Sequence, residues 1–167
     1  MNQTTRTMKG RPIVAGSAAG EAVVSAQPIS LWGGLDAKTG EVIDRRHDCS
    51  GRIVTGKIFV FPWGKGSSTG SAILLESIRL GKAPAAIVTR ATDPIAALGS
   101  IIADELYSKP MPLVVLGDDD FRSISDGDRL SITPDGAVTV ENSNPENPKD
   151  SEIRESPESP ESPEKKV

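Results

Sequence analysis

Between Ile58 and Leu116 three short apolar runs alternate with two helical patterns, and this order constrains the fold more than any other feature of the chain. Ile58-Phe59-Val60-Phe61 is unbroken and stops at Pro62, while Ala85–Thr89 and Leu113–Leu116 are its counterparts. Short runs without polar alternation fit strands buried on both faces. Between the first two, Ile73, Leu74, Leu75, Ile78 and Leu80 form the apolar face of a helix that Gly81 is placed to end. Between the second and third, Asp93-Pro94 opens another helix, with Asp as N-cap and Pro at the first helical position. Its expected apolar face is Ile95, Leu98, Ile101 and Ile102. Strand, helix, strand, helix, strand implies parallel pairing with right-handed crossovers.

The flanks add β-structure. Arg11–Val14 and Glu21–Ser25 read as short strands, and Arg129–Thr133 and Ala137–Val140 as a hairpin turning through Pro134-Asp135-Gly136. The expected fold class is therefore α/β, with a short parallel βαβαβ core and a second β layer. Gly34–Ser50, rich in turn and charged residues, is expected to be a long exposed loop. Asp118-Asp119-Asp120 reads as a charged turn with an Asp cap rather than a cation site.

Three segments follow from composition. Residues 1–8 are expected to be a flexible N-terminus and residues 9–140 the domain. Residues 141–167 hold 5 of the 13 prolines and repeat Ser-Pro-Glu three times, so they are expected to be a disordered acidic tail. The tail also carries the whole net charge: residues 1–140 have 15 acidic and 15 basic side chains, against 8 and 4 in residues 141–167. A neutral body lacks the electrostatic footprint of a nucleic-acid binder. One cysteine, Cys49, and one histidine, His47, leave no material for an internal disulfide or a Cys- or His-rich metal site. No apolar run approaches a membrane span, and the start is polar, so a cytoplasmic location without membrane contact is expected.

The chemistry concentrates at Gly64–Ser71. Here a buried strand runs into a helix through glycines 64, 66 and 70, hydroxyls at Ser67, Ser68, Thr69 and Ser71, and the charge of Lys65. Free N–H groups and the positive dipole end of a helix favour an anion there. The carboxyl end of an α/β strand is also where ligands tend to sit. The loop is not a phosphate-binding Walker loop, because Lys65 is followed by Gly66 and residue 59 is Phe. No histidine–aspartate pair lies near Ser67 in sequence, so a hydrolase relay is not expected. The plain alternative is an ordinary Ser-capped helix start.

Several linked motifs, spread from about Lys9 to Val140, resemble the small subunit of the aconitase-X type hydro-lyases, a swivelling domain. They are Gly-Glu-Ala-Val-Val-Ser at 20–25, Pro-Ile-Ser-Leu-Trp-Gly-Gly-Leu-Asp at 28–36, Gly-Glu-Val-Ile-Asp at 40–44, Gly-Lys-Gly-Ser-Ser-Thr-Gly-Ser at 64–71, Ala-Pro-Ala-Ala-Ile-Val at 83–88 and Asp-Pro-Ile-Ala-Ala-Leu-Gly at 93–99. The resemblance implies a swivelling β/β/α fold and a large partner subunit carrying an iron–sulfur cluster. It also implies that Ser67 accepts the α-proton of a small hydroxy acid, with Lys65, Gly66, Ser68 and Thr69 at the substrate. The implied substrate is cis-3-hydroxy-L-proline or (R)-5-phosphomevalonate, and the form of the loop favours the first. A non-catalytic anion-binding module and a phosphohistidine swivelling domain using His47 are the rival readings. Trp32-Gly33-Gly34 is expected at the subunit interface, and Asp44, Arg45, Arg46 and His47 at the site, at the interface or in a solvated turn.

Overall fold

The structure, a computed structural model, describes residues 5–141. In chain order the elements are β1 (Thr5–Lys9), β2 (Arg11–Val14), β3 (Ala18–Val24), the kinked single turn α1 (Leu31–Gly34), β4 (Ile58–Phe61), α2 (Gly70–Arg79), β5 (Ala86–Thr89), α3 (Pro94–Tyr107), β6 (Leu113–Val115), the short α4 (Asp118–Arg122), β7 (Arg129–Ile132) and β8 (Ala137–Glu141). The eight strands join in the order β1-β8-β7-β3-β4-β5-β6-β2. Strands β3 to β6 are parallel neighbours, and the remaining pairings are antiparallel.

Strand β3 is the joint between two β layers. Its first half, Ala18–Glu21, pairs with β7, and its second half, Ala22–Val24, pairs with β4. The antiparallel portion then covers one face of the parallel portion. There Ile58, Val60, Ala86, Val88 and Val114 pack against Leu130, Ile132, Val138, Val140 and Met8. On the other face Phe59, Phe61, Ile87 and Leu113 pack against Leu74, Ile78, Ala96 and Ala103 of the two helices. The result is the β/β/α layering expected from the sequence. It explains the unbroken apolar run of β4, whose four residues are all buried because both faces are covered.

Several expectations are corrected. Thr5–Lys9 is not a flexible lead-in but strand β1, paired residue for residue with Ala137–Glu141 of β8. The parallel core has a fourth strand, because β3 lies beside β4. The Asp118–Asp120 triplet forms the first turn of α4 and caps nothing; the N-cap is Gly117. The segment expected to be an exposed loop is largely anchored: Leu35, Val42, His47 and Cys49, with Val54 just beyond it, are buried. Residues 142–167, and with them the expected tail, lie outside the described residues.

The largest correction concerns α3. Its inward face is Ala96, Ala97, Gly99, Ser100 and Ala103, whereas Leu98 and Ile101 are 49% and 47% exposed. The reason is the close approach to α2, whose own inner face includes Gly70, Ser71 and Ser77. A Cβ on Gly99 would lie 2.7 Å from the Ser71 carbonyl oxygen and 3.1 Å from Leu74 Cβ. A side chain at position 99 would have no room beside Leu74 and the Ser71 carbonyl. Ser100 fits because its hydroxyl donates to the Met111 carbonyl at 2.5 Å and accepts the Met111 N–H at 3.1 Å.

Candidate active site

The chain leaves β4 at Phe61 and turns out over the carboxyl edge of the parallel strands. Its path is held by backbone bonds: Lys65 N–H donates to the Ile29 carbonyl at 2.9 Å, while Arg90 N–H donates to the Pro62 carbonyl at 3.0 Å. Position 64 sits directly over Asp93. A Cβ there would be 2.0 Å from Asp93 Oδ2, so only a bare Cα fits. Gly66 adopts φ +90°, and a Cβ there would run into the Ser30 hydroxyl. Both glycines therefore shape the loop.

Ser67 opens the turn into α2. Its carbonyl accepts Gly70 N–H at 3.0 Å, and its Oγ accepts Thr69 N–H at 3.2 Å while donating to Thr69 Oγ1 at 3.1 Å. The capping role expected of a serine is thus present, one turn before the helix proper, and Thr69 at the N-cap makes no side-chain cap. Lys65, Gly66, Ser67, Ser68 and Thr69 are all exposed, so the structure brings the five expected site residues together on one surface loop. Ser71 does not belong with them. It is buried and donates to the Ile95 carbonyl at 2.9 Å, tying α2 to α3.

The spacing Gly66-Ser67-Ser68-Thr69-Gly70 formally fits the nucleophile elbow of hydrolases, but the surroundings do not. An elbow needs a histidine at its serine, and the lone His47 is engaged elsewhere. His47 Nδ1 accepts Cys49 N–H at 3.2 Å, which in the neutral ring leaves the proton on Nε2, 3.3 Å from Ser25 Oγ. Ser25 in turn donates to Asp48 Oδ1 at 2.6 Å, and Ala26 N–H donates to Asp48 Oδ2 at 2.8 Å. Ser25 bypasses the imidazole to reach the carboxylate and is 1% exposed, so the group is a structural clamp on the segment after β3. This placement removes support from a phosphohistidine role for His47.

The ligand atoms of His47, Asp48 and Cys49 lie within 4.8 Å of one another, and each is engaged by hydrogen bonds within the protein. Burial, helped by the Asp48 charge, pushes the Cys49 thiol up to about 11, so it stays protonated and donates to the Val24 carbonyl at 3.5 Å. Partial burial raises Asp48, but the hydrogen bonds from Ser25 and Ala26, with His47 beside it, outweigh that and hold its carboxyl below the ordinary 3.8.

Sequence reasoning missed the second role of Asp93. As foreseen, Oδ1 caps α3, accepting Ile95 N–H at 3.0 Å and Ala96 N–H at 3.1 Å. Oδ2 is buried without a partner against Gly64. An Asp-Pro pair signals a cap, and nothing in that signal says what the other oxygen touches. The contact between Ser30 and Gly66 was likewise invisible, since 36 positions separate them.

Residues 7–140 match the sequence profile of the aconitase X swivel domain. The chain belongs to the aconitase X swivel-domain family. This swivel domain is 49% identical over 108 residues to cis-3-hydroxy-L-proline dehydratase of Pseudomonas aeruginosa, a stretch covering 65% of this chain but only 19% of that protein. It is 40% identical over 126 residues to the phosphomevalonate dehydratase small subunit of Methanosarcina acetivorans, covering 75% of this chain and 83% of that one. Among solved structures, aconitase X of Thermococcus kodakaraensis in its holo-form superposes with a TM-score of 0.74 at 37% identity, over 82% of this chain and 99% of that chain. Both named relatives are dehydratases, and the second is named as a small subunit. No helix among the described residues of the swivel domain is long and apolar enough to cross a membrane.

Proposed function

We propose that this swivel domain supplies the base of a hydro-lyase. Ser67, as alkoxide, takes the α-proton of a small hydroxy acid; the C–H electron pair forms the new double bond as the neighbouring hydroxyl leaves. The observation that carries the reading is the setting of Ser67 Oγ. It is exposed at a helix start, receives the Thr69 N–H, and among the described residues no carboxylate or imidazole hydrogen-bonds to it. Helix-start amides and the Lys65 charge favour the deprotonated oxygen. Gly66, Ser68 and Thr69 border the substrate in this reading.

Such a site is half a site. The rest belongs to a larger partner chain that holds the substrate and closes onto the loop. An iron–sulfur cluster, which would act as the Lewis acid for the leaving hydroxyl, does not fit the residues present here: a cluster is held by several thiolates, and this chain has one cysteine, which is buried. We assign it to the partner, and the assembly to the cytoplasm.

The substrate we favour is cis-3-hydroxy-L-proline, supported by the 49% identity to the Pseudomonas enzyme. A second reading, (R)-5-phosphomevalonate, is favoured by the match along 83% of a small subunit. The test is to assay the complex of this chain and its partner with both compounds. Ser67→Ala is expected to lower kcat by at least about a thousandfold while the complex still assembles, as for loss of a proton-transfer group. Near-normal turnover by that variant would refute the base assignment.

A further inference from the structure

A second feature lies on the same carboxyl edge of the sheet, one strand over from the Ser67 loop. A shallow, open depression of about 480 Å³ lies between the start of β2, the end of β5 and the end of β6. Its lining includes Lys9, Arg11 and Arg90 and contains no carboxylate; the rest is Gly10, Val115, Leu116 and Gly117. Two of the cations have partners within the protein. The Arg90 guanidinium lies 5.2 Å from the centre of the Trp63 ring and is held from outside by Asp118 at 3.5 Å. The Arg11 guanidinium donates to Thr92 Oγ1 at 2.8 Å. Arg90 N–H and Ala91 N–H both donate to the Pro62 carbonyl, so the arginine travels with the segment that leads to Ser67.

Asp118 faces Arg90 and the Asp135 charge acts on Lys9, so among the described residues the Arg11 guanidinium is the cation of this lining with no carboxylate partner. A stacked, pre-oriented guanidinium suits an oxyanion that can take two hydrogen bonds. We infer that this depression binds the anionic group of the substrate, a carboxylate or a phosphate, and so fixes which end of the hydroxy acid faces Ser67. Arg90 and Arg11 are then specificity-determining residues. The inference rests on the hydro-lyase reading for the identity of the ligand, but the depression's affinity for an oxyanion can be measured without turnover.

In the assembled complex, Arg90→Gln and Arg11→Gln are each expected to raise KM for the hydroxy acid about 10- to 100-fold, with kcat within about threefold. Arg90→Lys should recover only part of the loss, because an ammonium keeps the charge without the fork. Unchanged KM in both Gln variants overturns the proposal, as does weakened assembly with normal KM for whatever complex forms. Separately, the full chain is titrated with inorganic phosphate and with acetate while the Arg90 Nε–H and Trp63 indole N–H resonances are followed. Saturable shifts that vanish in Arg90→Gln are expected. A stronger response to phosphate assigns the depression to a phosphate end, and a stronger response to acetate to a carboxylate. No saturable shift with either anion overturns the proposal. If the complex turns over neither hydroxy acid, the hydro-lyase reading falls, and the titration still decides whether the depression binds an oxyanion.

Discussion

Ser67 and its neighbours are held by contacts from residues remote in sequence, and these contacts set what each position tolerates. Gly64 covers the Asp93 carboxylate at a distance no side chain can share. Gly64→Ala is therefore expected to push the loop off α3, lowering kcat of the complex and destabilising the chain by about 1–3 kcal/mol. Urea unfolding beside steady-state kinetics checks both effects, and a variant with wild-type values would show that the contact is slack.

At the same scale, Asp48 makes the clamp after β3 sensitive to acid. Its folded pKa lies below the ordinary 3.8, so its contribution to stability is fully present above that value and is lost as pH falls through the lower folded pKa. Asp48→Asn should lower stability at pH 7, and the gap between wild type and variant should close below about pH 3.8. Unfolding midpoints at several pH values measure this, and a gap that persists at the lowest pH would assign the effect to something other than the charge.

At the level of elements, α3 shows how an apolar pattern misleads. Ile95, Leu98, Ile101 and Ile102 have helical spacing, and burial of that face is the natural expectation. Ile95 of that face does pack on the core, but the middle of the helix turns Ala96, Ala97, Gly99, Ser100 and Ala103 inward and leaves Leu98 and Ile101 outside, because α2 approaches closely at Gly99. The strengths of substitutions should follow the observed face. Leu98→Lys and Ile101→Lys are expected to change stability by no more than about 0.5 kcal/mol, whereas Gly99→Val should cost about 1–3 kcal/mol. Thermal unfolding of the three variants distinguishes the two faces. The N-terminus of α3, by contrast, was legible: the Asp93-Pro94 pair starts the helix where local chemistry says it must, with both side-chain bonds formed.

On the scale of the whole molecule, the decisive feature is that one sheet serves as two layers. Strand β3 pairs to both sides with different halves of its length, and β1 returns the chain's start to the outer edge beside β8. Met8, 2% exposed, carries β1 into the core between the layers. Met8→Ala is expected to destabilise the chain by about 2–5 kcal/mol, read from urea unfolding. A value near zero would mean that β1 contributes little to the antiparallel layer.

Three of the four parallel strands, the two long helices, the closing hairpin and the Gly/Ser/Thr loop before α2 were determined by local sequence. Each depends on features a short window contains: apolar runs, caps, turn glycines and the density of hydroxyls before a helix. The family resemblance, too, rests on such windows in order. What only the tertiary structure decided are the relations between distant windows. These are the face α3 turns inward, the burial of His47 and Cys49, the Asp93 oxygen beneath Gly64, and the meeting of Arg90 with Trp63. The physical reason is that spacing records which residues share a face, whereas the partner of that face is set by packing volume and by where unsatisfied polar atoms find room.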